Sequence, residues 1–251
     1  MGPLRFSGGG PNIGARQMIK AILFDFGQPL VDSSDGFRQA ETDAQAAIFK
    51  DLRIPAPDAF KQHYRRIRAD FHKKSELSRV KIWQGVFRHF GQESSADEMQ
   101  KWERTYWRTV QSKTRVFPEA PPVLIDLSAK YGPLGLITNT QGQSDANTHR
   151  ISAYPELAAL FAATVVAGEN GVPTKPAPQP FAVCLEKLGV AAEESVYVGD
   201  DWRIDVCGAR DFGMHPVWLK HHTVNRNYPE GGADVPVITS MDELPAVLEA
   251  L

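Results

Sequence analysis

Cysteine is scarce in this sequence, and its scarcity excludes two classes of small protein. Only Cys184 and Cys207 occur among the 251 residues, which is too few for a disulfide scaffold. Neither cysteine belongs to a CxxC or Cys/His spacing, so the sequence carries no zinc signature. We expect both thiols to be buried and unreactive. A chain of this length can bury a large apolar core without such supports.

Long apolar runs and a marked charge excess are also absent. No stretch approaches the roughly 18 apolar residues that a membrane-spanning helix needs, and the start of the chain lacks the apolar segment of a secretory signal. We therefore expect a cytoplasmic protein that binds no membrane. The formal net charge is -2, whereas a nucleic-acid partner usually requires a basic excess. Residues 1–17 are Gly-rich and patternless, which predicts a disordered arm or a cloning remnant.

Short β-rich apolar runs alternate with helical patterns through most of the chain. The runs are IKAILFDF (19–26), LGLIT (134–138), ATVVA (163–167), SVYVG (195–199) and HPVWL (215–219), with a weaker one at 235–239. The helical patterns between them cover 121–130, 179–188 and 205–212. This alternation predicts an α/β fold of the Rossmann-like kind, a parallel sheet with helices on both faces. Residues 241–251 predict a closing amphipathic helix.

One interval interrupts this alternation. Between 33 and 111 no strand pattern occurs, and apolar residues recur at helical spacing in four segments, 36–52, 58–74, 78–90 and 97–111. We predict a helical cap over 33–111 and a core over 18–32 and 112–251. The cap interval holds 15 basic and 11 acidic residues, and the remainder holds 13 and 19. A basic cap over an acidic site suits an anionic substrate, although ordinary surface charge gives the same balance.

Residues that can do chemistry follow the predicted strands. They are Asp25, Thr138 with Asn139, Lys175, and Asp200 with Asp205. Ligands of open parallel sheets bind beyond the carboxyl ends of the strands, so we expect these side chains to share one pocket. Crowded carboxylates need a cation, and oxygen ligands favour Mg²⁺. A carboxylate can attack phosphorus once the negative charge of the target is offset, which Mg²⁺ and Lys175 can do.

These motifs, in this order, resemble the haloacid dehalogenase-like (HAD) hydrolase superfamily from Ile19 nearly to the carboxyl terminus. The four corresponding sequences are residues 22–30 around Asp25, Thr138, Lys175 before Pro-x-Pro, and Gly199 with Asp200 and Asp205. The helical insert is similar to the C1 cap of that family. The resemblance implies an HAD-like core and a hydrolase that acts on a small phosphorylated metabolite. Nothing in the sequence indicates the oligomeric state.

The resemblance also implies roles for the site residues. Asp25 would be the nucleophile and a magnesium ligand, with the Gly27 carbonyl and Asp200 as the other protein ligands. Asp205 would fix waters or Lys175. Thr138, Asn139 and Lys175 would bind the substrate, with Thr138 and Lys175 on the phosphoryl group. These residues describe a phosphatase that passes through an aspartyl-phosphate.

The chain departs from the family at Gly27, where phosphatases usually have a second aspartate that protonates the leaving alcohol. Either another group replaces that acid, the substrate has a good leaving group, or turnover is inefficient. Two further interpretations therefore stay open: a 2-haloacid dehalogenase, whose halide needs no proton, and a non-catalytic binding or regulatory protein. An acidic side chain of the cap that reaches the pocket would favour catalysis over the non-catalytic interpretation. Asp32 and Asp35 are the nearest such acids in sequence.

The remaining polar residues receive structural interpretations. We interpret His149 and Arg150 as packing or surface groups, and His221 and His222 as members of a solvated loop. Basic cap residues are candidate substrate contacts by composition alone: Arg65, Arg66, Arg68, Lys73 and Lys74.

Overall fold

The computed structural model describes residues 18–54, 57–142 and 149–251. The predicted arm at 1–17 lies outside these residues. Within them, no helix combines the length and the apolar character that crossing a membrane requires.

The described residues form strands and helices in the predicted alternation. The strands are β1 (Ala21–Phe24), β2 (Val31–Asp32), β3 (Arg115–Val116), β4 (Leu134–Asn139), β5 (Ala163–Ala167), β6 (Ser195–Gly199), β7 (His215–Leu219) and β8 (Val237–Ile238). The helices are α1 (Ser34–Leu52), α2 (Pro57–Lys73), α3 (Arg79–Phe90), α4 (Ala96–Lys113), α5 (Ala120–Tyr131), α6 (Pro155–Ala158), α7 (Pro178–Leu188), α8 (Gly208–Asp211) and α9 (Leu244–Ala250). Short 3₁₀ helices cover Arg150–Ala153, Ala192–Glu194 and Met241–Glu243, and a π-helix covers Trp202–Cys207.

Six strands form one parallel sheet in the order β5-β4-β1-β6-β7-β8. β1 lies at the centre, with β4 on one side and β6 on the other. The chain builds outward from β1 in both directions, which makes the carboxyl ends of these three strands the switch point where α/β sheets bind ligands. The predicted Rossmann-like α/β fold is confirmed.

Helices cover both faces of this sheet because successive side chains of each strand point to opposite sides. Ile22 and Phe24 of β1 pack in a cluster with side chains of α5 and α9. Ala21 and Leu23 pack in a second cluster with side chains of α7 and α8. A strand buried on both faces reads as a continuous apolar run, which is the pattern that the sequence shows.

The insert between β2 and β3 consists of α1 to α4. Helix α1 packs along α4, and α2 packs along α3. The insert has its own apolar core, which includes Trp83, Trp102 and Tyr106. The close approach of α1 to α4 depends on Gly36, since a Cβ there would lie 2.7 Å from the carbonyl oxygen of Val110.

A two-stranded antiparallel ribbon joins the insert to the sheet, and sequence analysis did not predict it. Val31 of β2 lies opposite Val116 of β3, and Asp32 lies opposite Arg115. The four helices run from Ser34 to Lys113. The division into a cap at 33–111 and a core remains a prediction about domains.

Candidate active site

Asp25 follows the last residue of the central strand. Its main-chain N–H donates to the Val198 carbonyl of β6 at 3.0 Å, which extends the strand pairing past Phe24. The N–H of Gly27 donates to Asp25 Oδ2 at 3.0 Å. The Asp25 side chain is 15% exposed and lines the cleft between the cap helices and the sheet. The turn after β1 therefore presents this carboxylate to the cleft in a fixed orientation.

Lys175 is the centre of the buried polar network. Its ammonium nitrogen lies 2.9 Å from Asp25 Oδ1 and 2.8 Å from Asp205 Oδ1. It also donates to the Ile137 carbonyl at 2.8 Å and to the Tyr197 hydroxyl at 2.6 Å. Burial alone would lower the pKa of Lys175, but the charges of Asp205 and Asp25 raise it well above its usual value. Lys175 is therefore a charged, fully buried group.

Three carboxylates converge beside this ammonium. One oxygen from each of Asp25, Asp200 and Asp205 lies within 4.8 Å of the other two. Burial raises the pKa of Asp200 well above its usual value, and burial raises the pKa of Asp205 to about 6 against the opposing charge of Lys175. Crowded buried carboxylates are stabilised by a divalent cation, and a set of hard oxygen donors suits Mg²⁺. The residues present therefore fit a magnesium ion.

Asp205 is held on both of its oxygens. Oδ1 accepts from Lys175, and Oδ2 accepts from the main-chain N–H of Asp201 at 3.0 Å. This position requires glycine at the end of β6, because a Cβ on Gly199 would lie 2.3 Å from Asp205 Cβ. Asp201 in turn caps the π-helix, where its Oδ1 accepts from the Ile204 N–H at 2.9 Å. The predicted Gly-Asp sequence thus positions an acid that supports Lys175.

Thr138 lies at the end of β4, and His149 contacts it. His149 Nε2 lies 3.2 Å from Thr138 Oγ1, while His149 Nδ1 accepts from the Ile151 N–H at 3.2 Å. Burial, with the charges of Arg150 and Lys175, lowers the pKa of His149 to about 3. A neutral imidazole that accepts at Nδ1 donates from Nε2. Thr138 then accepts from His149, and its own hydrogen is available to a ligand in the cleft.

Asn139 is the next residue of β4, and its side-chain amide hydrogen-bonds to the main chain of Lys175. Its Oδ1 accepts from the Lys175 N–H at 2.7 Å, and its Nδ2 donates to the Lys175 carbonyl at 3.2 Å. Both ends of the amide are therefore used in the protein. The contact fixes the loop that carries Lys175.

A cleft of about 670 Å³ lies between the cap helices and these strand ends. Its lining includes four carboxylates and seven cationic side chains. They are Asp25, Asp200, Asp201 and Asp205, and Arg68, Lys73, Arg79, Arg150, Lys175, Arg203 and Arg226. Three of these cations lie in the insert, and the other four lie in segments that follow strands of the sheet. An excess of cations over carboxylates favours an anionic ligand.

Arg226 binds the acidic residues from the loop after β7. Its guanidinium contacts Asp200 Oδ2 and lies 2.9 Å from Asp201 Oδ2. Among the described residues it is the basic partner of Asp200. No sequence pattern pointed to Arg226, because it lies in a segment without periodic pattern, 26 residues after Asp200.

His149 and Arg150 are buried against aromatic rings, which agrees with packing rather than surface positions, and they also contact the site. The two side chains are 5% and 6% exposed, His149 contacts Thr138, and Arg150 lines the cleft. The sequence offered one signal, the placement of a His-Arg pair soon after the Thr138 loop. The spacing of this pair does not distinguish residues of a functional site from residues on the surface.

His221 is a correction, since the prediction of a solvated loop is wrong for it. Its side chain is buried, stacks on the Phe117 ring at 3.7 Å, and bonds Glu119 Oε1 through Nε2 at 2.8 Å. His222, in contrast, is exposed. Cys184 is buried as expected, but Cys207 is half-buried.

The cap acids nearest in sequence to Asp25 do not line the cleft. Asp32 accepts from the Ser34 N–H at 2.8 Å, and Asp35 is 75% exposed beside Arg38. Of the five basic cap residues singled out by composition, Arg68 and Lys73 line the cleft. Within the described ranges, the cap contributes no carboxylate to that lining.

Comparison with known proteins adds three findings. A family model for a haloacid dehalogenase-like hydrolase matches residues 19–213. The chain is 29% identical over 237 residues to a phosphoglycolate phosphatase of Yersinia pseudotuberculosis, covering 91% of this chain and 93% of that protein. It is 29% identical over 234 residues to a glyceraldehyde 3-phosphate phosphatase of Pyrococcus furiosus, covering 92% and 93%.

The fold is also found among solved structures. The crystal structure of an HAD phosphatase from Thermococcus onnurineus superposes with a TM-score of 0.64 at 23% identity. The match covers 92% of this chain and 98% of that one. At this identity the similarity shows a shared fold.

Proposed function

The chain belongs to the haloacid dehalogenase-like hydrolase family, and on that premise we propose that it is a magnesium-dependent phosphatase whose nucleophile is Asp25. The observation that carries the proposal is the grouping of Asp25 with Asp200, Asp205 and Lys175 at the carboxyl ends of neighbouring strands. The substrate would be a small phosphorylated metabolite, because the relatives named above are phosphatases of small phosphate esters.

The magnesium ion would be held by the Asp25 and Asp200 carboxylates and the Gly27 carbonyl. Bound Mg²⁺ offsets the negative charge of the phosphoryl oxygens. Asp205 bonds Lys175 and the Asp201 N–H from a deeper position than Asp25, with 2% of its side chain exposed against 15%. This burial supports an indirect role in which Asp205 keeps the ammonium in place.

In the first step an Asp25 carboxylate oxygen attacks phosphorus, and the bond from phosphorus to the ester oxygen breaks. The Thr138 hydroxyl donates to a phosphoryl oxygen. Lys175 has to exchange one of its four protein partners for another such oxygen, because an ammonium has three N–H groups. Its charge offsets the negative charge concentrated on these oxygens. In the second step water attacks phosphorus, and the bond from phosphorus to the Asp25 oxygen breaks. The water proton passes to solvent, inorganic phosphate is released, and the Asp25 carboxylate is regenerated. Both steps use the side chains that the sheet brings together at β1, β4 and β6.

The leaving alkoxide needs a proton, and Gly27 cannot supply one. His72 lines the cleft from the cap, but burial and the charges of Arg79 and Arg68 lower its pKa to about 4. His72 is therefore neutral near pH 7 and a poor proton donor. Without such a donor, esters of weakly acidic alcohols should be hydrolysed slowly, and esters with acidic leaving groups should be hydrolysed faster.

Two other functions make different predictions. A 2-haloacid dehalogenase needs no leaving-group proton, which suits Gly27, but it also needs no metal, whereas here two buried aspartates stand beside Asp25. A non-catalytic protein would bind a phosphorylated ligand without turnover. The grouped carboxylates favour the phosphatase over both.

The test is hydrolysis of p-nitrophenyl phosphate, whose leaving group needs little protonation. We expect turnover with Mg²⁺, and none above background with EDTA or in Asp25→Asn. Release of halide from 2-chloropropionate without metal would contradict the proposal in favour of the dehalogenase. Magnesium binding without any turnover would contradict it in favour of the non-catalytic protein.

A further inference from the structure

Arg150 is a buried cation whose charge the described residues leave unpaired. Its side chain is 6% exposed, and the ion pairs of the described residues do not include it. Its Nη1 donates to the Ser33 hydroxyl at 2.6 Å, while its Nε is buried without a partner in the described part of the chain. Burial lowers the pKa of Arg150 to about 10, partly offset by the charge of Asp25. A buried charge with a neutral partner is costly, so an anion at this position would stabilise the protein.

The position of Arg150 distinguishes it from the groups that would hold the phosphoryl oxygens. Its guanidinium carbon lies 5.2 Å from the Phe26 ring centroid and 5.1 Å from that of Phe37, a residue of cap helix α1. Its hydrogen-bond partner Ser33 lies where the chain enters the cap. Thr138 instead contacts His149, and Lys175 pairs with Asp25 and Asp205. Arg150 therefore faces the cap side of the cleft.

A second buried arginine faces the same cleft from the cap. Arg79 of α3 is 5% exposed and lines the cleft, and its nearest carboxylate is Glu41, 3.8 Å from Nε. Arg68 shares that carboxylate at 3.4 Å. Within the described ranges, Glu41 thus serves two guanidinium groups, so the positive charge of Arg68 and Arg79 is only partly offset by this carboxylate.

We propose that the substrate carries a second anionic group, a carboxylate or a second phosphate, and that Arg150 binds it. The planar fork of a guanidinium matches either anion with two parallel hydrogen bonds. This inference rests on the proposed phosphatase function, and it adds that the substrate group beyond the phosphate is negatively charged. Similarity alone does not identify that group. The name of one relative gives a substrate with a carboxylate, and the name of the other gives a substrate with an aldehyde.

The experiment compares three esters that differ at one end: 2-phosphoglycolate, ethylene glycol bisphosphate and ethyl phosphate. We expect wild-type kcat/KM for at least one of the anionic esters to exceed that for ethyl phosphate about 10- to 100-fold, the range for a hydrogen bond to a charged group. In Arg150→Met this ratio should fall to within about threefold of unity, and Arg150→Lys should keep an intermediate ratio. Which anionic ester is preferred identifies the second group.

Arg104→Met is the matched control, since Arg104 is an exposed residue of α4 bonded to Gln100, and it should leave the ratio unchanged. An equal loss for all three esters in Arg150→Met would overturn the inference, because Arg150 would then act on the phosphoryl group. A wild-type enzyme without preference would also overturn it.

A binding measurement separates this inference from the proposed function. Calorimetry with 3-phosphonopropionate, butane-1,4-bisphosphonate and propylphosphonate, in which CH2 replaces each ester oxygen and which are not hydrolysed, should show the same preference and its loss in Arg150→Met. If p-nitrophenyl phosphate is not turned over but that preference is found, the catalytic proposal fails and the anion site stands. If turnover is found and neither ligand with a second anionic group binds more tightly than propylphosphonate, the anion site fails alone.

Discussion

The Lys175 ammonium lies 2.9 Å from Asp25 Oδ1, although 150 residues separate the two in the chain. Asp25 follows β1, and Lys175 lies on the loop between β5 and α7. Asn139 fixes that loop from the end of β4, which neighbours β1 in the sheet. The order of the strands in the sheet thus brings these two residues together. Both folding and the proposed chemistry depend on the resulting ion pair.

Lys175→Met should destabilise the protein as well as abolish turnover. The substitution leaves Asp25 and Asp205 without their shared cation, and breaking a buried ion pair on one side costs about 3 to 5 kcal/mol. Urea denaturation measures the free energy of unfolding. Lys187→Met removes an exposed lysine of α7 and should change that energy by less than about 0.5 kcal/mol. An equal, small effect of both substitutions would contradict the view that Lys175 is charged and paired.

Gly27→Asp should accelerate hydrolysis of esters with poor leaving groups. A Cβ at Gly27 would lie 3.6 Å from Asp25 Oδ2, an ordinary contact, so the backbone there accepts a side chain. General acid catalysis contributes a factor of about 100 to 10,000, and we expect at least about 10-fold on ethyl phosphate with a smaller gain on p-nitrophenyl phosphate. Gly27→Asn has nearly the same shape without the proton and should show no gain. An equal gain in both variants would mean that the cause is steric.

Arg226→Gln should strengthen magnesium binding. The guanidinium contacts Asp200 and Asp201, so it competes with a cation for Asp200 and repels it. A partly exposed ion pair is worth about 1 kcal/mol, which corresponds to roughly a fivefold change in Kd. Titration calorimetry with Mg²⁺ measures the affinity directly. Weaker binding in Arg226→Gln would show that Arg226 supports the aspartates in the orientation that the metal requires.

His149 should make the protein less stable in acid. Its pKa is about 3 in the folded protein against 6.5 in an unfolded chain. Below about pH 6.5 the unfolded chain binds a proton that the folded protein does not, so this contribution is complete above that pH and lost as pH falls. The slope is at most about 1.4 kcal/mol per pH unit.

The comparison is between wild type and His149→Asn, each unfolded in urea at several pH values. The stability difference between them should decrease by about 1 to 2 kcal/mol from about pH 7 to about pH 5. A constant difference would mean that His149 is not held neutral against Thr138.

The sheet and its acidic cluster were predictable, because the signals are local in sequence. Apolar runs ending in Asp25, Thr138 and Asp200 mark buried parallel strands, and a parallel sheet brings its strand ends together. The cap helices were predictable for the same reason, since apolar residues recur at helical spacing. These patterns arise because residues that are buried in a core must be apolar, so burial leaves a regular signal in the sequence.

The cationic side of the cleft was not predictable in the same way. Arg150, Arg79 and Arg226 reach the cleft from a 3₁₀ helix, a cap helix and a loop after β7. An arginine on such an element has the same sequence context whether it is buried or exposed. His221 shows the same limit, because its burial depends on Phe117 and Glu119, about a hundred residues earlier in the chain.

The central claim is that Asp25 becomes phosphorylated, and acid quenching followed by peptide mass spectrometry tests it most directly. With p-nitrophenyl phosphate the first step needs little proton donation, whereas the second lacks the base that an aspartate at Gly27 would provide. We predict that within one turnover a phosphoryl adduct accumulates on the peptide that contains Asp25 and is absent in Asp25→Asn. Sustained turnover with no adduct on that peptide, or an adduct on another residue, would contradict the account.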